Sequence, residues 1–127
     1  MDIGHGLMYE IYQGLDSETR RGFAQEIFYH DVESQDLIDQ AVGALREHPR
    51  REEEPILEVF PAIPLGYIAL LKDRVNTLDY QLKTAWSLGV KRSSFNSGHA
   101  PMYARPRQLA DRLIRLANGE DWAAKPA

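Results

Sequence analysis

The most regular apolar pattern of the chain lies in residues 65–88, which read LGYIALLKDRVNTLDYQLKTAWSL. Apolar residues recur there at alternating spacings of three and four, namely Ile68, Leu71, Val75, Leu78, Leu82 and Ala85. This spacing is typical of a helix that packs along one side. Pro64 precedes the stretch and Gly89 follows it, and these residue types commonly begin and end helices. We therefore predict one long helix over about 65–88, with a length of ~36 Å.

Shorter helices are predicted around it from the same spacing and from residues that begin or end helices. Asp16 or Ser17 can cap one of them and Ser34 another, because their side-chain oxygens accept hydrogen bonds from free first-turn amides. Trp122 is expected to fold back and anchor the tail. The predicted ranges are about 7–13, 17–30, 35–48 and 106–118, and a short helical turn begins at Pro55.

Together these elements predict an all-α protein, an irregular antiparallel bundle of four to five helices built around the long helix of about 65–88. A chain of 127 residues fits a single helical domain, 1–127, with residues 1–5 and 120–127 as candidate flexible tails. The connection from Gly89 to Arg105 is expected to be an aperiodic loop of about 16 residues. Loops of that length are uncommon unless they have a function or are disordered, and the sequence leaves both explanations open.

Composition excludes several classes of protein. The chain contains no cysteine, which rules out disulfide scaffolds, thiolate metal sites and cysteine nucleophiles. It has no run of 18 apolar residues and its first residues lack the features of a secretory signal, so we predict a cytoplasmic protein without membrane contact.

Charge is divided unevenly along the chain. Residues 1–64 hold 14 acids and 5 Lys or Arg, a balance of −9, whereas residues 65–127 hold 5 acids and 10 Lys or Arg, a balance of +5. Such asymmetry either neutralises inside the fold or marks an interaction surface. The sequence leaves both explanations open.

The preferred hypothesis is a small protein-interaction or regulatory module, such as an inhibitor, an immunity-type protein or an adaptor. It would bind a protein partner, another chain or a second copy of itself, through its charge-segregated surfaces. A homodimer through the regular apolar seam is the alternative to packing of that seam inside the bundle. Candidate interface residues are Tyr67, Tyr80, Trp86, Glu52, Glu53 and Glu54.

A second hypothesis is nucleic-acid binding by the basic segment 83–115, since Lys and Arg hold phosphate oxygens. The overall pI of about 5.5 and the absence of a known nucleic-acid-binding motif weigh against it. The candidate contacts are Lys83, Lys91, Arg92, Arg105, Arg107, Arg112 and Arg115.

A third hypothesis is a small-molecule or metal site in the 89–105 loop, with Asn96, His99 and Tyr103 as ligand residues and Arg105 beside them. Glu26 and His30 share a helix face, but a metal site needs three or more such groups. The neighbours Ser97, Gly98 and His99 do not form a catalytic triad by adjacency alone. We therefore predict no cofactor, no catalytic residue and a protein that is not an enzyme.

Overall fold

The computed structural model describes residues 14–45 and 62–123. These residues form a mixed α/β fold, because two of the segments between the helices pair as parallel strands. The predicted all-α bundle is therefore wrong. The elements in chain order are α1 (Ser17–Ile27), α2 (Gln35–Ala44), β1 (Gly66–Leu70), α3 (Leu78–Leu88), β2 (Lys91–Phe95), α4 (Pro101–Ala104) and α5 (Pro106–Ala117).

The helix predicted over 65–88 is wrong in its first half. Residues 66–70 form β1, which pairs with β2 so that Gly66 lies opposite Lys91 and Leu70 lies opposite Phe95. The helix begins only at Leu78, although its end at Gly89, in the left-handed conformation with φ 65°, is as predicted. A parallel pair needs a long crossover, and α3 provides it. The apolar spacing of three and four thus spans a strand, a turn and a short helix.

A turn at residues 71–77 separates the strand from the helix. The carboxylate of Asp73 accepts hydrogen bonds from the amides of Val75 and Asn76, at 2.8 and 3.1 Å, which turns the chain. Thr77 then caps α3 by accepting a hydrogen bond from the amide of Tyr80 at 3.2 Å. These local side-chain bonds are the reason why the helix does not extend back into β1.

The predicted aperiodic loop between Gly89 and Arg105 is also wrong. Residues 91–95 form β2, and residues 101–104 form the single turn α4. Only residues 96–100 remain as a connection, and they follow directly from the carboxyl end of a strand.

Three of the predicted helices are confirmed. Asp16 caps α1 by accepting from the amide of Thr19 at 2.8 Å, and Ser34 caps α2 by accepting from Leu37 at 3.3 Å. Helices α1 and α2 are shorter than predicted, and α5 begins at Pro106 as predicted. The predicted helix at 7–13 and the turn at Pro55 lie outside the described residues. In the part of the chain that is described, every helix is too short or too polar to cross a bilayer.

The tail after α5 folds back as predicted. The indole Nε1 of Trp122 donates a hydrogen bond to the carbonyl of Leu116 at 3.0 Å, and Ala123 pairs with Arg92. The indole ring lies against Gly66, where any side chain would overlap it. The tail therefore closes over the amino ends of both strands.

Among the described residues, the outer edge of β1 is closed by one buried side chain and not by a third strand. Gln81 on α3 is 2% exposed, and its carboxamide accepts from the amide of Leu70 at 2.7 Å and donates to the Leu70 carbonyl at 2.9 Å. The same nitrogen donates to the carbonyl of Asn76 at 2.9 Å. Gln81 therefore stands in for a neighbouring strand at the last residue of β1.

The hairpin of α1 and α2 packs against the segment that follows β2. Its buried side chains form one cluster with Ala100, and Tyr103 packs on that cluster with its ring edge to Tyr29. The hairpin thus lies beside the carboxyl ends of both strands. The buried members of this cluster are Ala24, Tyr29, Val32, Ile38, Ala41 and Ala100.

Candidate functional site

The segments that follow the two parallel strands remain hydrogen-bonded to each other, and this brings two short loops together. The amide of Leu71 donates to the carbonyl of Phe95, and the amide of Lys72 donates to the carbonyl of Ser97, both at 3.0 Å. Residue 73 of the first loop therefore lies across from residue 99 of the second. In open α/β sheets, ligands generally bind at this carboxyl edge.

Asp73 and His99 form a direct pair at this edge. The Nδ1 atom of His99 lies 3.1 Å from both carboxylate oxygens of Asp73. The Asp73 side chain is only 2% exposed, whereas the His99 side chain is 31% exposed. A buried carboxylate thus holds an imidazole that solvent can reach.

The pair determines which nitrogen of His99 carries a proton. An ionised carboxylate can only accept hydrogen bonds, so the nitrogen that faces it must donate. In the neutral ring this leaves the lone pair on Nε2, which makes no hydrogen bond to any of the described residues. Nε2 is therefore available to accept a proton from a bound molecule.

The α1–α2 hairpin supplies a second aspartate. The Oδ2 atom of Asp31 accepts a hydrogen bond from the amide of Gly98 at 2.7 Å and a longer one from Ser97 Oγ at 3.4 Å. Ser97 is fully buried. We refer to Asp31, Asp73, Ser97 and His99 as the strand-end cluster.

Two further contacts join the hairpin to the loops of the strand-end cluster. The Phe28 ring lies 5.7 Å from the imidazole of His99, centroid to centroid. Arg74 Nη1 donates to the backbone carbonyl of Glu26 at 3.0 Å and lies 3.5 Å from its carboxylate. The hairpin is thus held against both loops by an aromatic contact and by hydrogen bonds.

The pKa of Asp73 lies below the usual value for a carboxyl group. Burial raises the pKa of this carboxyl group. The hydrogen bond and charge of His99 lower it, as do the amides of Val75 and Asn76, and together these effects outweigh that of burial. The carboxylate therefore remains ionised at neutral pH in spite of its burial.

The lowered pKa of Asp73 predicts that the free energy of unfolding decreases at acid pH. A carboxyl group with a lowered pKa in the folded state stabilises the protein above its unfolded pKa of 3.8, and the contribution is lost as pH falls through the folded value. We expect the difference in unfolding free energy between the wild type and Asp73→Asn to be largest near pH 6 and to shrink below about pH 4. Urea unfolding at pH 6, 4 and 3 measures it. A difference that stays constant over this range would contradict the lowered pKa.

The seven basic residues proposed to contact nucleic acid occupy several elements, and part of their charge is paired. Lys83 on α3 lies 2.9 Å from Asp79, and Arg115 on α5 binds Asp121 at 2.6 Å. Arg112 donates to Ser93 and to the carbonyl of Ser94. Lys91 and Arg92 lie in β2, Arg105 precedes α5, and Arg107 lies in its first turn. Nucleic-acid binding remains a prediction. Because Lys83 and Arg115 are paired with acidic side chains, less of the positive charge of this set is available to phosphate groups than the sequence alone indicates.

The proposed interface residues are separated by the structure. Tyr67 in β1 and Tyr80 in α3 are half-buried, and burial raises the pKa of Tyr67 with smaller contributions from the charges of Asp73 and Tyr80. Trp86 is 58% exposed on α3. Glu52, Glu53 and Glu54 lie outside the described residues. Among Tyr67, Tyr80 and Trp86, Trp86 is the most exposed.

Of the three proposed ligand residues, His99 lies in the strand-end cluster. Asn96 is exposed at the end of β2, and Tyr103 contributes its ring to the packing of the hairpin. The Nε atom of Arg105 is buried and has no hydrogen-bond partner among residues 14–45 and 62–123. No three His, Asp or Glu side chains within residues 14–45 and 62–123 converge so as to hold a metal ion.

Sequence reasoning missed both aspartates of the cluster. The sequence pattern places Asp73 in a helix, although Asp73 lies two residues after the short apolar run Ile68–Leu71, as a polar residue after a buried strand does. Asp31 was assigned to the short connection between two helices. Neither assignment could show that the two residues approach the segment 97–99.

Comparison with known proteins does not identify a family for this chain. No family model matches it, and neither the curated proteins nor the solved structures include a similar one. The strand-end cluster is therefore the feature of this chain that bears most directly on its function.

Proposed function

We propose that this chain binds a small polar molecule at the strand-end cluster and that His99 transfers a proton to or from it. The observation that carries the proposal is the contact between His99 Nδ1 and the buried carboxylate of Asp73. A carboxylate in this position fixes the orientation and tautomer of a catalytic imidazole. General acid–base catalysis of this kind contributes about 10²- to 10⁴-fold to a rate. The prediction that the chain has no catalytic residue stays untested, and this proposal is the alternative to it.

The state of His99 tests this proposal directly. We expect a long-range ¹⁵N correlation spectrum at pH 8 to show His99 as the Nδ1–H tautomer, and Asp73→Asn to shift it toward the Nε2–H tautomer. We also expect diethyl pyrocarbonate to modify His99 in the wild type severalfold faster than in Asp73→Asn, with His99→Gln identifying the labelled peptide. A wild-type His99 in the Nε2–H form, or one that reacts no faster than in the variant, argues against an acid–base role.

A ligand screen then identifies what the site binds. A molecule present at 100 times its Kd stabilises the folded state by about 2.7 kcal/mol. We expect a stabilising compound in a library of small polar metabolites to raise the Tm of the wild type and to leave His99→Gln much less affected. Stabilisation that is equal in both proteins would place the ligand elsewhere.

Protein interaction is a second candidate function, supported by the surface of the α1–α2 hairpin. Glu18, Glu33 and Asp36 are exposed on it, and none of them makes an ion pair with another described residue. Such a surface favours association with a basic partner. Affinity capture at low and high salt tests this with the wild type and with Glu18→Gln/Glu33→Gln/Asp36→Asn. The hypothesis requires a protein that the wild type captures at low salt and the triple variant does not. It fails if no such protein is found.

A further inference from the structure

The peptide that carries His99 is held by the α1–α2 hairpin rather than by β2 alone. Asp31 follows α1, and its Oδ2 accepts the Gly98 amide at 2.7 Å, one residue before His99. The same oxygen accepts a longer hydrogen bond from the Ser97 hydroxyl, at 3.4 Å. Hydrogen bonds to an ionised acceptor are roughly twice as strong as neutral ones, and 2.7 Å is at the short end of their range.

The side chains of His30 and Asp31 approach the backbone of Gly98 so closely that this hydrogen bond depends on a residue without a side chain. A Cβ atom at Gly98 would lie 2.6 Å from Asp31 Oδ1 and 2.6 Å from His30 Cε1. Oδ1 of Asp31 and Nδ1 of His30 are buried without a hydrogen-bond partner among the described residues. The hairpin therefore contacts the main chain of the 97–99 loop directly, at a point where only glycine fits.

The 97–99 loop is fixed from two opposite sides. The carbonyl of Ser97 accepts from the amide of Lys72 in the loop after β1, whereas the amide of Gly98 donates to Asp31 in the hairpin. The single peptide group between Ser97 and Gly98 is thus bound at its carbonyl and at its amide by different parts of the fold. The orientation of the next residue, His99, depends on both.

From these contacts we propose that Asp31 is a positioning residue, which sets the alignment of His99 with Asp73 by holding the Gly98 amide. The inference rests on the proposed acid–base role of His99 and adds a residue from the acidic half of the chain to the site. Asp31 does not exchange a proton with the ligand in this arrangement. It acts through the backbone of Gly98 and His99.

The test compares Asp31→Ala and Asp31→Asn with Asp39→Ala and Asp39→Asn as matched controls. Asp39 is an acid of the same hairpin, on α2, and its carboxylate binds Arg21 at 2.8 Å instead of the 97–99 loop. For each full-length variant, the tautomer of His99 is read from the ¹⁵N spectrum and its reactivity from the rate of modification by diethyl pyrocarbonate. Circular dichroism and Tm report folding separately.

We expect Asp31→Ala to lose the preference for the Nδ1–H tautomer and to react severalfold more slowly. Asp31→Asn should lie between Asp31→Ala and the wild type, because its amide oxygen can still accept the Gly98 amide without the charge. Both Asp39 variants should match the wild type.

If His99 in Asp31→Asn has the wild-type tautomer and is modified at the wild-type rate, Asp31 is not a positioning residue. This result is decisive even if Asp31→Ala does not fold. A general loss of packing is distinguished by the Asp39 controls and by partial rescue in the asparagine variant. If His99 in the wild type is not the Nδ1–H tautomer, the proposed acid–base role fails. If it is, and the Asp31 variants retain it, only the role of Asp31 fails.

Discussion

Replacing Gln81 with leucine is expected to lower the free energy of unfolding by about 2 kcal/mol. The carboxamide of Gln81 is bonded to the amide and carbonyl of Leu70 and to the carbonyl of Asn76. Leucine has a similar size but leaves the Leu70 amide without a partner and removes one hydrogen bond each from the carbonyls of Leu70 and Asn76, of which the Leu70 carbonyl still accepts from the amide of Asp73 at 3.3 Å. A half-buried backbone group that loses its hydrogen bond costs about 1 kcal/mol or more. The residue is unusual because it closes the edge of a two-stranded sheet.

Urea unfolding of Gln81→Leu and of Gln40→Leu measures this effect. Gln40 is an exposed glutamine of α2, and a surface change of this kind is expected to alter stability by no more than about 0.5 kcal/mol. A loss below about 1 kcal/mol in Gln81→Leu would show that water or a side-chain rearrangement satisfies the edge of β1. The comparison therefore tests whether the sheet depends on a single side chain.

Replacing Gly98 with alanine is expected to destabilise the protein by about 2 kcal/mol and to misalign His99. The added Cβ would lie 2.6 Å from Asp31 Oδ1 and from His30 Cε1. Asp31 cannot move away freely, because it also binds the Gly98 amide and the Ser97 hydroxyl. Either the side chains of Asp31 and His30 shift, which breaks the hydrogen bonds of Asp31, or the hairpin and the 97–99 loop separate, which weakens their shared packing.

Gly22→Ala provides the matched control for this substitution. Gly22 lies within α1, is exposed, and has no atom within 4 Å of a Cβ built on it. Alanine is favoured over glycine in a helix by about 1 kcal/mol, so this variant should gain stability. Thermal unfolding together with the rate of His99 modification measures both variants. Wild-type stability and reactivity in Gly98→Ala would mean that the contact relaxes without cost.

The helices that local signals define were predicted well. Asp16 and Ser34 cap α1 and α2, and Pro106 begins α5, because capping depends on residues within one turn of the helix end. The error lies in residues 65–88, where an apolar spacing of three and four outweighed the signals of the turn. Asp73 and Thr77 both bond to amides that follow them, and each of these residues favours an interruption of a helix.

The candidate site was only partly predictable. The sequence draws attention to His99 because polar, basic and aromatic residues are mixed in the segment that contains it. Its partner Asp73 is 26 residues away and Asp31 is 68 residues away, and no local pattern connects such positions. The unequal charges of the two halves also do not show how the halves meet. An acidic hairpin contributes Asp31 to the loop that follows a basic strand.

By itself, then, the sequence determined where α1, α2 and α5 begin, the end of α3 at Gly89, the absence of cysteine chemistry and the uneven distribution of charge. These depend on composition and on contacts between residues a few positions apart. The tertiary structure decided that residues 66–70 and 91–95 pair as parallel strands, and that Asp73, His99 and Asp31 meet where those strands end. Parallel pairing joins segments separated by a whole helix, so its hydrogen bonds become visible only when the chain is folded.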